Sequence, residues 1–359
     1  MSVRRRAAAI TAVSSLILVV PVAAQARTKL VNMGLPPSAG KSFERASSDV
    51  NDFFPHGVTI HVGDSVKFRP TGFHTIDFPA RGAAPLPLVS PNGQKVAGAN
   101  DAAGAPFWFN GQDQLGFTPA LVKSAFGKRF TYTGSARIES GLPIAQRNKP
   151  IVIRFPKAGS FTYYCNVHPG MKGVVRVRAK SRRIPSARAD AKALKAQVAR
   201  DLKIAKRLSK TTPPAGVVDV GSAGPNGVEY FGFFPKSVTV PVGTTLRFQM
   251  SKGSREDHTA TTGPGADVEQ NPFGYLGKLA SSFQAPVFDP AAVYPSDAPG
   301  APAGLTPTAH GNGFWNSGVM DTSNASPLPP ANSVKLAAAG TYQFVCLIHP
   351  FMRGTVIVR

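Results

Sequence analysis

The chain has 359 residues, with 41 lysines and arginines against 19 aspartates and glutamates, and only two cysteines. Charged residues make up 17% although the net charge is +22, while 35 glycines and 33 prolines come to about a fifth of the chain, against an ordinary share of about 12%. Two cysteines exclude a disulfide-dense scaffold and a four-thiolate zinc site. The Gly/Pro content argues against a helical bundle and for turn-rich β structure, and the length calls for two domains.

The first element is a targeting segment. Arg4, Arg5 and Arg6 precede an apolar run from Ala7 to Ala24 that Pro21 interrupts, and Ala24-Gln25-Ala26 offers a small-residue cleavage site. This is the pattern of a signal peptide over residues 1–26. It predicts an exported protein, periplasmic or extracellular at the cell envelope. No later stretch approaches the roughly 20 apolar residues of a membrane span.

Short alternating strands follow. Val58, Ile60 and Val62 share one face of the first, and Val66 to Phe68 continue the pattern. Ile151 to Phe155, Phe161 to Cys165 and Val174 to Val177 come later, punctuated by Gly and Pro. These predict an antiparallel β-sandwich over residues 27–179. Residues 180–214 differ in composition, with eleven basic and two acidic side chains between Lys180 and Lys210. Leu194, Val198 and Leu202 give its Ala-rich part, Ala187 to Leu208, a helical period with one narrow apolar stripe. It reads as a basic helical linker. A second set of strands then occupies residues 215–359, with Val238, Val240 and Val242 on one face, Leu246 to Phe248, Tyr342 to Cys346 and Thr355 to Val358.

The two sets are copies. Cys165-Asn-Val-His168-Pro-Gly-Met171 recurs as Cys346-Leu-Ile-His349-Pro-Phe-Met352, with all three motif side chains displaced by one and the same offset. Phe53-Phe54-Pro55 recurs as Phe233-Phe234-Pro235 and Val62-Gly63 as Val242-Gly243, at an offset shorter by a single position. Each cysteine thus belongs to its own copy, which disfavours a disulfide between them. A loop with Cys, His and Met at this spacing turns three donors towards one point. A thiolate and two imidazoles in a plane with a long axial thioether are the preferred surroundings of electron-transfer copper. The further histidine is His74 in one copy and His258 in the other, separated by nearly the repeat offset. Each copy therefore offers a full set: His74, Cys165, His168 and Met171, then His258, Cys346, His349 and Met352.

On these motifs the chain resembles the cupredoxins, the plastocyanin- and amicyanin-like blue-copper family, in a tandem form. The resemblance covers the strands around residues 53–74, 151–177, 231–258 and 341–358. It implies two Greek-key β-sandwiches, each with one type 1 copper that cycles between Cu(I) and Cu(II), and hence an electron carrier rather than an enzyme. On this reading His168 or His349 sits at the surface where partners dock, and Met171 and Met352 are weak axial ligands. Thr75 and Thr259 stand after the first histidine, where the family often has Asn or Ser. The stretches from first histidine to cysteine, His74 to Cys165 and His258 to Cys346, are about twice as long as those of simple cupredoxins. These insertions, at about 76–149 and 260–335, read either as a lid or docking surface, or as loops packed on the sandwich.

The rival readings are a two-domain copper oxidoreductase of the nitrite-reductase kind and a copper carrier. A trinuclear oxidase cluster is excluded, because seven histidines less four ligands leave only His56, His61 and His310. No histidine adjoins either cysteine to bridge to a second copper. The excess charge, concentrated in the linker, points to acidic redox partner proteins and to peripheral association of that linker with an anionic envelope rather than to nucleic acid.

Overall fold

A computed structural model describes residues 26–210, 212–264, 287–300, 302, 304–323 and 328–359. The targeting segment lies almost wholly outside the described residues, as do parts of the second insertion. Among the described residues no helix is long and apolar enough to cross a membrane.

The layers are β-sheets. In the first sandwich one sheet runs Phe53–Phe54, Thr28–Met33, Ser65–Pro70, Ile151–Arg154, Arg129–Thr131. The facing sheet runs Ile138–Glu139, Asp77–Phe78, Gly159–Tyr164, Lys172–Arg178, Gly57–His61. Alternation fills the space between them: Val31, Val66, Phe68 and Ile153 from one sheet meet Ile60, Phe78, Tyr163 and Val175 from the other in one core. The second sandwich repeats this with Val218, Phe248 and Val334 against Phe344, Val356 and Val358. Val242 departs from its expected face. It is 49% exposed because its strand ends at Val240.

The copies are tied together in three places. Ser48–Val50, numbered with the first copy, pairs antiparallel with Val228–Tyr230 in a sheet of the second. The helix Ala187–Leu208 covers the residues its apolar stripe predicts, starting at Ser186, whose side chain accepts from the N–H of Ala189. Its stripe packs on Phe43, Phe54 and Val228, so it touches both copies. Gln197 donates to the Phe53 carbonyl at 3.0 Å, while Asp201 accepts from Asn226 at 3.0 Å. The helix is thus a strap rather than a free spacer, and its basic side chains face outwards.

The third tie is made by the insertions, which close on each other. Val89–Lys95 and Asp113–Phe117 form a hairpin in the first. Phe107 and Phe109 from its tip pack with Phe314 and Tyr294 of the second. Trp108 donates to the Pro295 carbonyl at 2.8 Å and Tyr294 to the Asp113 carbonyl at 2.6 Å. His310 stands between Asp101 and Asp297, at 3.4 and 3.5 Å. Packing is therefore the outcome, on the opposite insertion here and on the insertions' own sandwiches elsewhere, with Tyr132 and Ile138 in the first core and Leu305, Trp315 and Met320 in the second. Phe109 is fully buried in this clasp, so Phe109→Ala is expected to cost about 3–5 kcal/mol of stability. Thermal unfolding of the variant beside the parent chain measures this loss.

One buried acid gives the fold a pH dependence. Glu139 lies opposite Asp77 across the sheet, and Asp77 takes the Arg137 guanidinium. Burial first, then the charge of Asp77, pushes the Glu139 carboxyl from the ordinary 4.5 up to about 8. Between those values the folded state keeps a proton that the unfolded state loses. Stability therefore falls as pH rises through this window, by up to about 1.4 kcal/mol per unit. Glu139→Gln should flatten that fall, so that denaturant midpoints at pH 8 exceed those of the parent chain.

Candidate metal centre

In the first copy the Cys-to-Met loop turns at the end of Gly159–Tyr164 and returns along Lys172–Arg178. The Cys165 N–H donates to the Met171 carbonyl at 3.0 Å, and the Met171 N–H to the His168 carbonyl at 2.9 Å. The second copy closes the same way, Cys346 to Met352 at 3.2 Å and Met352 to His349 at 2.8 Å. These bonds fix the loop, and the proline after each histidine removes an N–H that would otherwise need a partner.

Three donors meet in each loop. Cys165 Sγ lies 3.9 Å from His74 Nδ1 and 3.6 Å from His168 Nδ1, and the two nitrogens are 2.9 Å apart. In the second copy the sulfur lies 3.7 Å from His258 Nδ1 and 3.8 Å from His349 Nδ1, with 3.1 Å between nitrogens. Donors held about 2.0–2.3 Å from a common centre in a plane would lie roughly 3.5–3.8 Å apart. Both clusters fit one metal ion after an adjustment of a few tenths of an ångström. Met171 and Met352 are buried in the same cores as their cysteines. Among the described residues these are the two groups of three such side chains able to hold an ion. Neither cysteine is in a disulfide.

Burial alone would raise each thiol. In Cys165 the hydrogen bonds and charges of His168 and His74 overcome it and hold the thiol well below its ordinary value. His258 and His349 do the same for Cys346. Both shifts favour the thiolate, the form that binds soft metals. Its further contacts include the N–H groups of Thr75 and Thr259, each pointing at its sulfur at 3.4 Å, and the Thr75 hydroxyl at 3.8 Å from Cys165 Sγ. Both threonine hydroxyls also brace the loop, accepting from the N–H of Asn166 and of Leu347 at 2.7 Å.

The first histidine of each pair is seated by glycine. A Cβ on Gly34, at φ +98°, would lie 2.6 Å from His74 Nε2, and one on Gly221, at φ +79°, 2.5 Å from His258 Nε2. The second histidine departs from expectation. His168 is 5% exposed, and its ring turns into the seam between the copies instead of towards a docking surface. Its Nε2 lies 3.3 Å from Glu256 Oε1, while His349 Nε2 lies 3.5 Å from Glu256 Oε2. Val167 beside one histidine and Leu347 and Ile348 beside the other share a single apolar cluster. The two loops thus face each other. What remains at the surface near the second centre is Phe351, 64% exposed and edge-on to His349 with ring centres 5.9 Å apart.

Glu256 is ionised. Burial opposes this, but His168 above all, then His349 and His258, hold it well below the usual carboxylate range. Its neighbours shift the other way: burial pushes Glu229 up to about 8 and Asp257 well above its ordinary value. The other three histidines lie apart from the centres, His56 on Asp52 at 2.9 Å, His61 on the Arg182 carbonyl at 2.8 Å and His310 in the insertion clasp.

No protein-family model matches the chain, and no curated protein matches it. Among solved structures, a mutant plastocyanin of a fern is similar over 40% of this chain and 99% of its own, at 21% identity and a TM-score of 0.21. An amicyanin mutant in its Cu(I) form is similar over 42% of this chain and 89% of its own, at 18% identity and a TM-score of 0.20. A purple cupredoxin from Nitrosopumilus maritimus is similar over 40% of this chain and 98% of its own, at 14% identity and a TM-score of 0.20.

Proposed function

We propose that the chain is an exported copper electron carrier with one type 1 centre in each sandwich. The observation that carries this reading is the convergence, twice in one chain, of a buried thiolate and two imidazole Nδ1 atoms, with a buried methionine closing each loop. Bound copper would supply a one-electron couple between Cu(I) and Cu(II). His74, Cys165 and His168 would hold it in the first copy and His258, Cys346 and His349 in the second, with Met171 and Met352 as weak further ligands. A soft thiolate with a thioether suits copper better than zinc. The loops, closed by backbone bonds and set in packed cores, would restrain the donors when the charge changes, which favours fast transfer. Export follows from the Arg4–Arg6 segment and its apolar run. The +22 charge and the outward basic side chains of the strap favour acidic redox proteins and an anionic envelope surface as partners.

Titration of the copper-loaded full chain with a one-electron reductant tests this. The expected result is uptake of two electrons per chain, with reversible bleaching of an intense thiolate-to-copper band. Turnover of nitrite or dioxygen by the loaded chain would make it an oxidoreductase instead. Copper bound without that band would make it a carrier of the metal.

A further inference from the structure

Glu256 belongs to the second copy, two residues before His258, yet its carboxylate reaches a histidine of each copy. One oxygen lies 3.3 Å from His168 Nε2 and the other 3.5 Å from His349 Nε2. Asn51, from the first copy, donates to Oε1 at 2.7 Å. Arg255 donates in turn to the Asn51 carbonyl at 2.6 Å. The side chain of Arg255 also runs along the first loop, where a Cβ on Gly170 would lie 3.5 Å from its Nε. Glu256 is 8% exposed and is thus gripped from both sides of the seam.

A buried carboxylate is costly unless strong donors surround it. The Nε2–H of an imidazole that binds metal through Nδ1 is such a donor, and a carboxylate there fixes the ring's tautomer and orientation. Ordinarily one carboxylate serves one ring. Here a single carboxylate serves two rings on two centres, so whatever strengthens one contact draws it from the other.

We infer that Glu256 is a positioning residue shared by both metal centres, one that couples them so that their reduction equilibria are not independent. The inference rests on the copper reading. The shared negative charge favours the oxidised, more positive state at both centres. Were an external one-electron donor to reduce bound copper at one centre, that centre's ring would pull less on the carboxylate, which would then hold the other ring more firmly. The second electron is accordingly harder to add than the first. Each step adds one electron and breaks no bond.

Spectroelectrochemical titration of the copper-loaded full chain, with Glu256→Gln compared in the parent, Cys165→Ser and Cys346→Ser backgrounds, tests the inference. In each single-centre background Glu256→Gln should shift the redox equilibrium towards the reduced form by roughly tenfold, as loss of a nearby buried charge implies. With both centres filled, the separation between the two steps should narrow. NMR of the Cu(I)-loaded chain adds a readout independent of potential: the Nε2–H signals of His168 and His349 should move together in Glu256→Gln. If that variant fails to fold, Glu256→Asp keeps the charge but shortens the reach, and both signals should still move. A shift at one centre only, or at neither with copper content intact, overturns the inference. Absence of a thiolate-to-copper band in the parent chain would instead overturn the copper reading on which it stands.

Discussion

Cys346→Ser is expected to remove one of two coppers per chain and about half of the thiolate-to-copper absorption, and Cys165→Ser the other half. A serine hydroxyl stays protonated near neutral pH and is a hard donor, so it cannot supply the covalent soft-metal bond of a thiolate. The cost to folding is smaller. Cys346 is fully buried and its sulfur faces the N–H groups of Thr259 and His349 at 3.4 Å each, which a hydroxyl meets less well. A loss of about 1–3 kcal/mol is expected, leaving the chain folded. Metal analysis and the visible spectrum of each variant measure the effect. An unchanged band in either variant would remove that cysteine from the ligand set.

Gly221→Ala is expected to disable the second centre while sparing the first. The backbone at Gly221 has φ +79°, where a side chain costs about 1–2 kcal/mol. Its new Cβ would lie 2.5 Å from His258 Nε2 and 2.9 Å from Cδ2. The ring cannot yield freely, because backbone bonds with Met320 hold His258 on both sides at 3.3 and 2.8 Å. Displacing the ring should lower copper affinity at this centre by about 10–100-fold, the scale for lost support around a metal ligand. Gly34→Ala should do the same to the first centre through His74. Competitive copper titration reads both, and two full-affinity sites in either variant would contradict the seating role of these glycines.

Much of the candidate site was legible because its chemistry is local. Cys165, His168 and Met171 share one short loop, and repetition of the same spacing at Cys346, His349 and Met352 separates the motif from chance. His74 and His258 were found by their place in the repeat. The strap was legible from Leu194, Val198 and Leu202, since a one-sided apolar stripe needs something to cover it. Glu256 was not. It reads as an ordinary loop acid, and its effect depends on His168, far upstream in the other copy, meeting it across a seam that no local pattern describes. The one signal was a break in the repeat: Glu256-Asp257 precedes His258 where Gly72-Phe73 precedes His74. Gly34 and Gly221 were missed because a glycine's space is defined by what lies opposite it. The insertions carry no periodicity, and their order comes from partners such as Phe109 and Tyr294, which are distant in the chain and stacked in the clasp.

His168 is buried rather than at the surface, for a related reason. Taken one copy at a time, His168 and His349 are at the open end of a sandwich. The strand Ser48–Val50, the strap and the insertion clasp turn those ends towards each other, and the histidines meet over Glu256. The two open ends thus face one another.

Titration of the purified full chain with Cu(II), followed by visible spectrum and metal analysis, tests the central claim most directly. Two coppers per chain with an intense thiolate-to-copper band are the predicted result. Copper uptake without that band, or a mass showing Cys165 and Cys346 joined in a disulfide, would contradict it.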